Sequence, residues 1–585
     1  MSAPIQVGTT LEAAAATAGR KAARHLGGIQ ARDGHWCGEI TAADATLESG
    51  YILFQLWLHP PVAGKWTPDT RPLIAKAVRS ILSSPLASNL DAAIQAYAAL
   101  KLAGLPITDA RMQQRRQAIL DAGGLQAAGP RLKIFLSLFG LYPAQDCAAI
   151  PPELVLLPFD FLYQIAAWDR TVLVPLSIVQ ALAAPRPVPA GFSLDEIQGP
   201  PGQAATVRER YTRFLPRSLR RRAIEKGRDW VLDHMRHSDG LAAAYPAMMY
   251  SVMALDSLGY PADDPLRMEA LRQFNSLMVD EGDRFCFQPY FAPVWDTAFA
   301  AYALGEQSPT DPALPHSAEW LRAREIRRQG DWSRHRPNVE PSGWALQYSN
   351  EFYPSIDATA MVLLALRQPH ERGTAWLQAM QSADGGWAAF DAGQTWKLID
   401  RLSFASRDTC RSDVTGRALE ALIAQGIDSA HPAIRRGVKW LVDRQEADGS
   451  WAAPSIYATC FALRGLAAAG ESDREAHILR AGEWLRSIQN ADGGWGENTG
   501  GKSTPSQTAW AILGLIAGGD PASLSVQHGI EYLLENQLED GSWPAEAATG
   551  TGSLPGSSFD YHLYKDYFPL MALSSFVKAR AASNG

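Results

Sequence analysis

The sequence predicts an all-α protein built as two α/α barrels, or toroids, and two observations carry that prediction. The first is a turn that recurs. "QARDGHW" ends at Trp36, "QSADGGW" at Trp387, "QEADGSW" at Trp451, "QNADGGW" at Trp495 and "QLEDGSW" at Trp543, with a degraded copy, "IRRQGDW", ending at Trp332. The second is what lies between copies. "GRALEALIAQG", "YATCFALRGLAAAG" and "TAWAILGLIAGG" are apolar with helical period, and strand-like alternation is nearly absent.

From Trp332 onward the copies fall at intervals of about 44 to 64 residues, the spacing of a repeated supersecondary unit. Each unit would supply an outer and an inner helix. The Asp-Gly pair would form the turn between units, because Gly accepts backbone angles other residues avoid. Trp would lay its ring over a neighbouring helix end while Gln bonds backbone groups there. These residues are therefore read as structural.

The bulk numbers narrow the function. A chain of 585 residues exceeds one ordinary core. It is 46% hydrophobic and 20% charged with net charge −7, a balance that does not suggest nucleic acid. The first 28 residues lack the apolar core of a signal peptide, and no run of 18 apolar residues occurs, so a cytoplasmic location is expected. Cys37, Cys147, Cys286, Cys410 and Cys460 have no metal-ligand spacing and read as reduced core residues. The segment 208–228 holds nine basic and two acidic residues. It reads either as a solvated helical face or as a peripheral dock on an anionic membrane leaflet.

"FYPSIDATAMVLLALR", Phe352 to Arg367, places one acid at the head of an apolar helix. Ser355 or Asp357 could cap that helix. A carboxylate in such a setting is otherwise neutral, paired or functional.

The repeat resembles the QW motif of the squalene–hopene and oxidosqualene cyclases, which are class II terpene cyclases. "PVWDTAFAAYAL" (Pro293 to Leu304), "SDVTGRALEAL" (Ser412 to Leu422), "GWGENTGGKSTPSQTAWAILGLIAGG" (Gly494 to Gly519) and "GTGSLPGSSFDYHLYKDYFPLMAL" (Gly550 to Leu573) are similar to the same family. The resemblance implies one barrel from residues 1–15 and 280–585, carrying the acid, and a second inserted barrel from 16–279, with an aromatic-lined cavity between them. It implies no cofactor and no metal, a linear isoprenoid substrate, peripheral or monotopic membrane contact on the inner face, and homodimers.

By the same resemblance Asp357 is the proton donor. It corresponds to the central acid of Asp-x-Asp-Asp-Thr-Ala, with Ser355 and Ala358 replacing both flanking acids. Protonating a double bond demands a strong acid in a dry site. Arg417, in "SDVTGR", stands where the family places a basic residue beside the acid and would stabilise the carboxylate left behind. Candidates for the substrate wall are Trp168, Trp295, Leu346, Phe390, Tyr457, Tyr561 and Tyr564. Aromatic faces stabilise a cation by roughly 0.5 to 2 kcal/mol each.

Several positions depart from the family pattern. Leu346 replaces a Phe, the loop from Trp451 to Tyr457 is about four residues short, and Gly50 and Gln95 stand where Glu is usual. These departures suggest a substrate or product other than squalene to hopene. A protein prenyltransferase would need a zinc set at convincing spacing, and a glycosidase two opposed carboxylates in a polar cleft. The expectation is a cofactor-independent class II terpene cyclase acting on squalene or a related linear polyprenoid. An epoxidised, shorter, aryl-prenyl or diphosphate substrate, or a decayed lipid-binding homologue, is the alternative.

Overall fold

The computed structural model describes residues 10–87, 89–199, 216–452, 455–471, 475–545 and 559–584. Among them the regular structure is almost entirely α-helical, with a few strands of two or three residues. The chain divides into two compact units. The first comprises Met1–Ile40, Phe291–Gln394 and Asp408–Gly585, and the second Thr41–Tyr290 with Thr395–Arg407.

In the first unit six inner helices form a closed ring. Pro293–Gln307 packs on Ile356–Leu366, then in turn Ser412–Ala424, Ile456–Ala468, Pro505–Ala517 and Tyr564–Asn584, which returns to the first. Each inner helix carries one outer helix: Ala313–Arg322, Glu371–Ala379, Pro432–Val442, Ala476–Ser487, Leu524–Asn536 and, on the last, Leu11–Gly28. The difference is written in the residues. Ile356–Leu366 buries every side chain except Asp357, whereas Pro432–Val442 buries only Ala433, Ile434, Gly437, Trp440 and Leu441, one stripe of an amphipathic helix. The expected break after residue 15 falls inside Leu11–Gly28. That helix is the sixth outer one, so the first unit runs on to Ile40.

The repeated turn works as a clamp. The indole N–H of Trp36, Trp387, Trp451, Trp495 and Trp543 donates to the carbonyl ten residues earlier, near the end of the preceding outer helix, at 2.8–2.9 Å. Gln381 Nε2 donates to the turn carbonyl of Gly385 (2.7 Å) and to Ala433 at the start of the next outer helix (2.8 Å). The Trp387 ring lies where a side chain on Gly437 would sit, so the next outer helix comes close only because that residue is Gly. Gly385 itself has φ of +102°, the left-handed region that favours Gly.

One copy differs from the sequence expectation. Trp332 is buried but its indole N–H makes no hydrogen bond, and Trp344 takes the clamp position. Trp344 Nε1 donates to Leu321 O at 2.7 Å, its backbone N–H bonds Thr359 as that of Trp387 bonds Thr415, and Gly343 beside it has φ of +102°. Here the carbonyl lies 23 residues back instead of ten, so an insertion hides the copy from a fixed-spacing search. Because Gln381 is buried, donates two bonds and accepts a third from Arg436 Nη2, Gln381→Ala should destabilise the protein by about 1–3 kcal/mol. A thermal-unfolding midpoint equal to wild type would contradict this role.

The second unit repeats the inner-and-outer pairing. Thr46–Leu58, Leu90–Leu102, Ala167–Leu182 and Tyr245–Ser257 are buried along most of their length, and Arg71–Ser83, Ala110–Asp121, Arg217–Arg236 and Pro265–Asn275 lie against them. The second half of the basic segment is helical within Arg217–Arg236, while 208–215 lie outside the described residues. Gly50 leaves room for Gln95 and Tyr245: a side chain on it would meet Gln95 Nε2 at 2.9 Å and Tyr245 Oη at 3.1 Å. No helix among the described residues is long and apolar enough to cross a membrane. The cysteines are not uniformly core residues: Cys147 and Cys460 are buried, Cys286 and Cys410 half-buried, and Cys37 is exposed.

Candidate active site

Ser355 decides what Asp357 is free to do. Its hydroxyl accepts the Ala358 N–H at 3.2 Å and caps the helix Ile356–Leu366, so the capping reading belongs to Ser355 alone. Asp357, two residues on, points its carboxylate at Arg417, whose Nη1 donates to Asp357 Oδ1. Among the described residues Arg417 is the one partner of that carboxylate. Asp357 retains 16% of its side-chain surface, while Arg417 is fully buried, which excludes a surface ion pair.

Arg417 is caged. Its guanidinium lies 4.0 Å from the centroid of the Phe461 ring, 5.1 Å from Trp295, 5.5 Å from Phe299 and 5.6 Å from Tyr457. Nη2 donates to Tyr457 Oη at 2.8 Å. Guanidinium keeps its charge under all ordinary conditions, so the site holds a permanent cation faced by the Asp357 carboxyl and four ring faces. Burial pushes the Tyr457 hydroxyl up to about 12, so it stays protonated. The close approach that brings Arg417 to Phe461 depends on glycine. A side chain on Gly416 would collide with the Phe461 carbonyl, and one on Gly465 with the Gly416 backbone.

From this centre an aromatic wall runs round the ring of inner helices. Trp295 Nε1 donates to Tyr564 Oη at 3.2 Å, and Tyr564 stacks on Tyr561 at 4.4 Å between centroids. Trp510 bridges Tyr564 (5.9 Å) to Tyr457 (4.9 Å), with Phe568 against both Trp510 and Phe461. Leu346 is buried beside this wall, its carbonyl accepting the Val294 N–H at 3.1 Å next to Trp295. Phe390 is also buried, and its neighbour Ala389 accepts the Ile356 N–H at 2.8 Å, immediately before the acid. Thus six of the seven wall candidates lie in the acid's own unit. Trp168 does not: it belongs to the second unit, where it packs on Tyr290 at 5.5 Å.

Sequence reasoning passed over Phe299 and Phe461. Each lies four residues after a chosen candidate, Trp295 and Tyr457, and so shares its helix face, a signal that was there to be read. Asp296 was also missed. It is buried with Gly38 N–H donating to Oδ2 at 2.8 Å, and burial pushes its carboxyl up to about 7. A folded-state value above the unfolded one stabilises the fold at low pH, and that contribution is lost as pH rises through about 7. The thermal midpoint of wild type relative to Asp296→Asn should therefore fall between pH 5 and pH 8; a constant difference would contradict it.

A family description, squalene–hopene cyclase N-terminal domain, matches residues 20–283, and the corresponding C-terminal domain matches 291–578. Over 96% of its length the chain is 34% identical to the squalene–hopene cyclase of Zymomonas mobilis, covering 95% of that protein. It is 34% identical to that of Alicyclobacillus acidocaldarius over 96% of this chain and 97% of the relative. With dammaradiene synthase of Dryopteris crassirhizoma it shares 32% identity over 84% of this chain and 83% of the relative. Among solved structures, ent-copalyl diphosphate synthase from Streptomyces platensis aligns over 97% of this chain and all of its own, with a TM-score of 0.50 at 17% identity, a likeness of fold.

Proposed function

The chain belongs to the squalene–hopene cyclase family, and we propose that it uses Asp357 to protonate squalene or a related linear polyprenoid and so to start a cationic polycyclisation. The observation that carries this reading is the Asp357–Arg417 pair set among aromatic rings at the head of a buried helix.

The chemistry follows from that pair. The Asp357 carboxyl gives its proton to one carbon of a terminal double bond, and the other carbon becomes a tertiary cation. The carboxylate left behind faces Arg417, whose fixed charge is in place before the reaction and needs no reorganisation. Each following ring closure moves the cation along the chain. Trp295, Phe390, Tyr457, Tyr561 and Tyr564 offer ring faces whose π electrons stabilise it, and they keep water out. Loss of a proton, or capture of one water, ends the cascade. Ser355 is engaged in capping and Ala358 is buried, so neither supplies an acid beside Asp357, and Arg417 is the charged group that faces it. The substrate class is supported by the relatives named for squalene–hopene cyclisation and for dammaradiene synthesis.

Product analysis by gas chromatography–mass spectrometry tests the reading. Purified enzyme in detergent receives squalene, 2,3-oxidosqualene and shorter linear polyprenoids, with Asp357→Asn alongside. A cyclic product from squalene, absent with the variant, is expected. Conversion of none of these substrates would sink it.

The same reading carries peripheral contact with the inner face of a membrane, homodimers and a cytoplasmic location. The arginines of Arg217–Arg236, with 208–215 before them, support shallow, salt-sensitive docking on anionic lipid. Binding to anionic vesicles that persists unchanged in high salt would contradict that mode.

A further inference from the structure

Asp408 lies outside every motif of the sequence, yet its carboxylate holds three consecutive backbone amides. Oδ2 accepts the N–H of Phe390 at 2.7 Å and of Asp391 at 2.9 Å, and Oδ1 accepts that of Ala389 at 3.3 Å. Gln394 completes the clasp: its Oε1 accepts the Asp408 N–H at 2.6 Å and its Nε2 donates to Asp391 Oδ2 at 2.9 Å.

The clasped segment is the link between the two halves of the acid centre. Ala389 O accepts the N–H of Ile356, the residue before Asp357, at 2.8 Å. Two residues earlier, Trp387 O accepts the Arg411 N–H at 2.9 Å and Trp387 N–H donates to Thr415 Oγ1 at 3.0 Å, at the start of the helix that carries Arg417. Immediately after these anchors the segment carries Phe390, buried. The carboxylate is kept there against a cost: burial, with the charge of Asp391 second, pushes the Asp408 carboxyl up to about 6. The charged groups facing it are Asp391 and, more distantly, Arg411. A turn needing only a hydrogen-bond acceptor could use Asn or Ser without that cost.

Resting on the cyclase reading above, we infer that Asp408 is a positioning residue which fixes the Phe390 segment across the heads of the acid and arginine helices, and so sets how far the cascade runs before it is quenched. It does so through Phe390 and touches no reacting atom itself. Asp408→Ala removes both acceptor oxygens and with them all three bonds. Asn keeps one acceptor oxygen and turns a donor toward the remaining amides, so it falls between.

The test compares Asp408→Ala, Asp408→Asn, Phe390→Ala and the double variant Asp408→Ala/Phe390→Ala. We expect Asp408→Ala to lower kcat about 10-fold while KM stays within about 3-fold, since misplacing a group near the cation acts on the reaction more than on binding. Its product mixture should shift toward incompletely cyclised products, as with Phe390→Ala. The double variant should match Phe390→Ala, because both changes remove one effect. Hydrogen exchange at the Phe390 and Asp391 amides should speed up in Asp408→Ala and, less, in Asp408→Asn. Wild-type product ratios in active Asp408→Ala, or shifts that add in the double variant, overturn the inference. If Asp408→Ala does not fold, the same comparison on Asp408→Asn decides. The cyclase reading is settled separately by wild type against Asp357→Asn, and the exchange rates report on the clasp whatever the substrate proves to be.

Discussion

Asp357→Asn leaves a folded protein that forms cyclic product at least about 10³-fold more slowly than wild type. General acids contribute roughly 10² to 10⁴ where water can partly substitute. Here no substitute stands by: among the described residues the Asp357 carboxyl is the acid that Arg417 faces, and Ser355 and Ala358 leave it without acidic neighbours on its helix. The helix keeps its cap, which Ser355 and not Asp357 supplies, and Asn keeps an acceptor oxygen for Arg417 Nη1, although the buried guanidinium loses its counter-charge and some stability with it. The measurement is initial-rate product formation at saturating substrate, with circular dichroism to show that helix content is retained. A variant that is active within tenfold of wild type would remove Asp357 from the chemistry.

Arg417→Ala should combine a large catalytic loss with a loss of stability, and Arg417→Lys separates the two. Removing the guanidinium takes away the charge that receives the Asp357 carboxylate, an effect of about 10² to 10³ for a preorganised electrostatic group. It also empties the centre of a four-ring cage and leaves Tyr457 Oη without its donor. Breaking a buried pair by deleting one partner costs about 3–5 kcal/mol, and the upper end is tempered because Asp357 is not fully buried and keeps 16% of its side-chain surface exposed. Lys restores the charge but is a point donor on a flexible stem. It cannot reach Asp357 and Tyr457 together as the guanidinium fork does. Arg417→Lys should therefore recover most of the stability and only part of the rate. Equal activity in Arg417→Lys and wild type would show that the fork geometry is irrelevant.

Much of the architecture is legible in the amino-acid sequence alone, because the repeated turn is a physical device with fixed spacing. Trp and Gln act across a set distance along the chain, ten residues from Trp387 to Leu377 and four from Gln381 to Gly385, so their periodicity is visible in sequence. The copy that failed shows the limit. Trp344 does the work expected of Trp332, since an insertion between the helix end and the turn changes spacing without changing geometry. The break placed at residue 15 misses for a related reason. Leu11–Gly28 finds partners far along the chain, as in the bond from Lys21 Nζ to Leu538 O, 517 residues apart, which no local pattern encodes.

The site divides along similar lines. Residues on inner helices in long motifs, Asp357, Arg417, Trp295, Tyr457 and Tyr564, are those the structure brings together. Phe299 and Phe461 were legible from helical spacing. Asp408 and Gln394 were not, because their bonds run to backbone amides and to each other's neighbours within loops, and loops carry no period. Trp168 lies in the second unit, and its place on a substrate wall stays a proposal to be tested by its own substitution.

The most direct test of the central claim is to run the reaction in D₂O and read where the solvent proton goes. If Asp357 protonates a carbon to start the cascade, the cyclic product from squalene carries one deuterium that does not wash out in H₂O, and Asp357→Asn yields neither product nor label. A cyclic product without that deuterium would mean the reaction begins some other way, with Asp357 not the proton donor and Arg417 not its electrostatic partner.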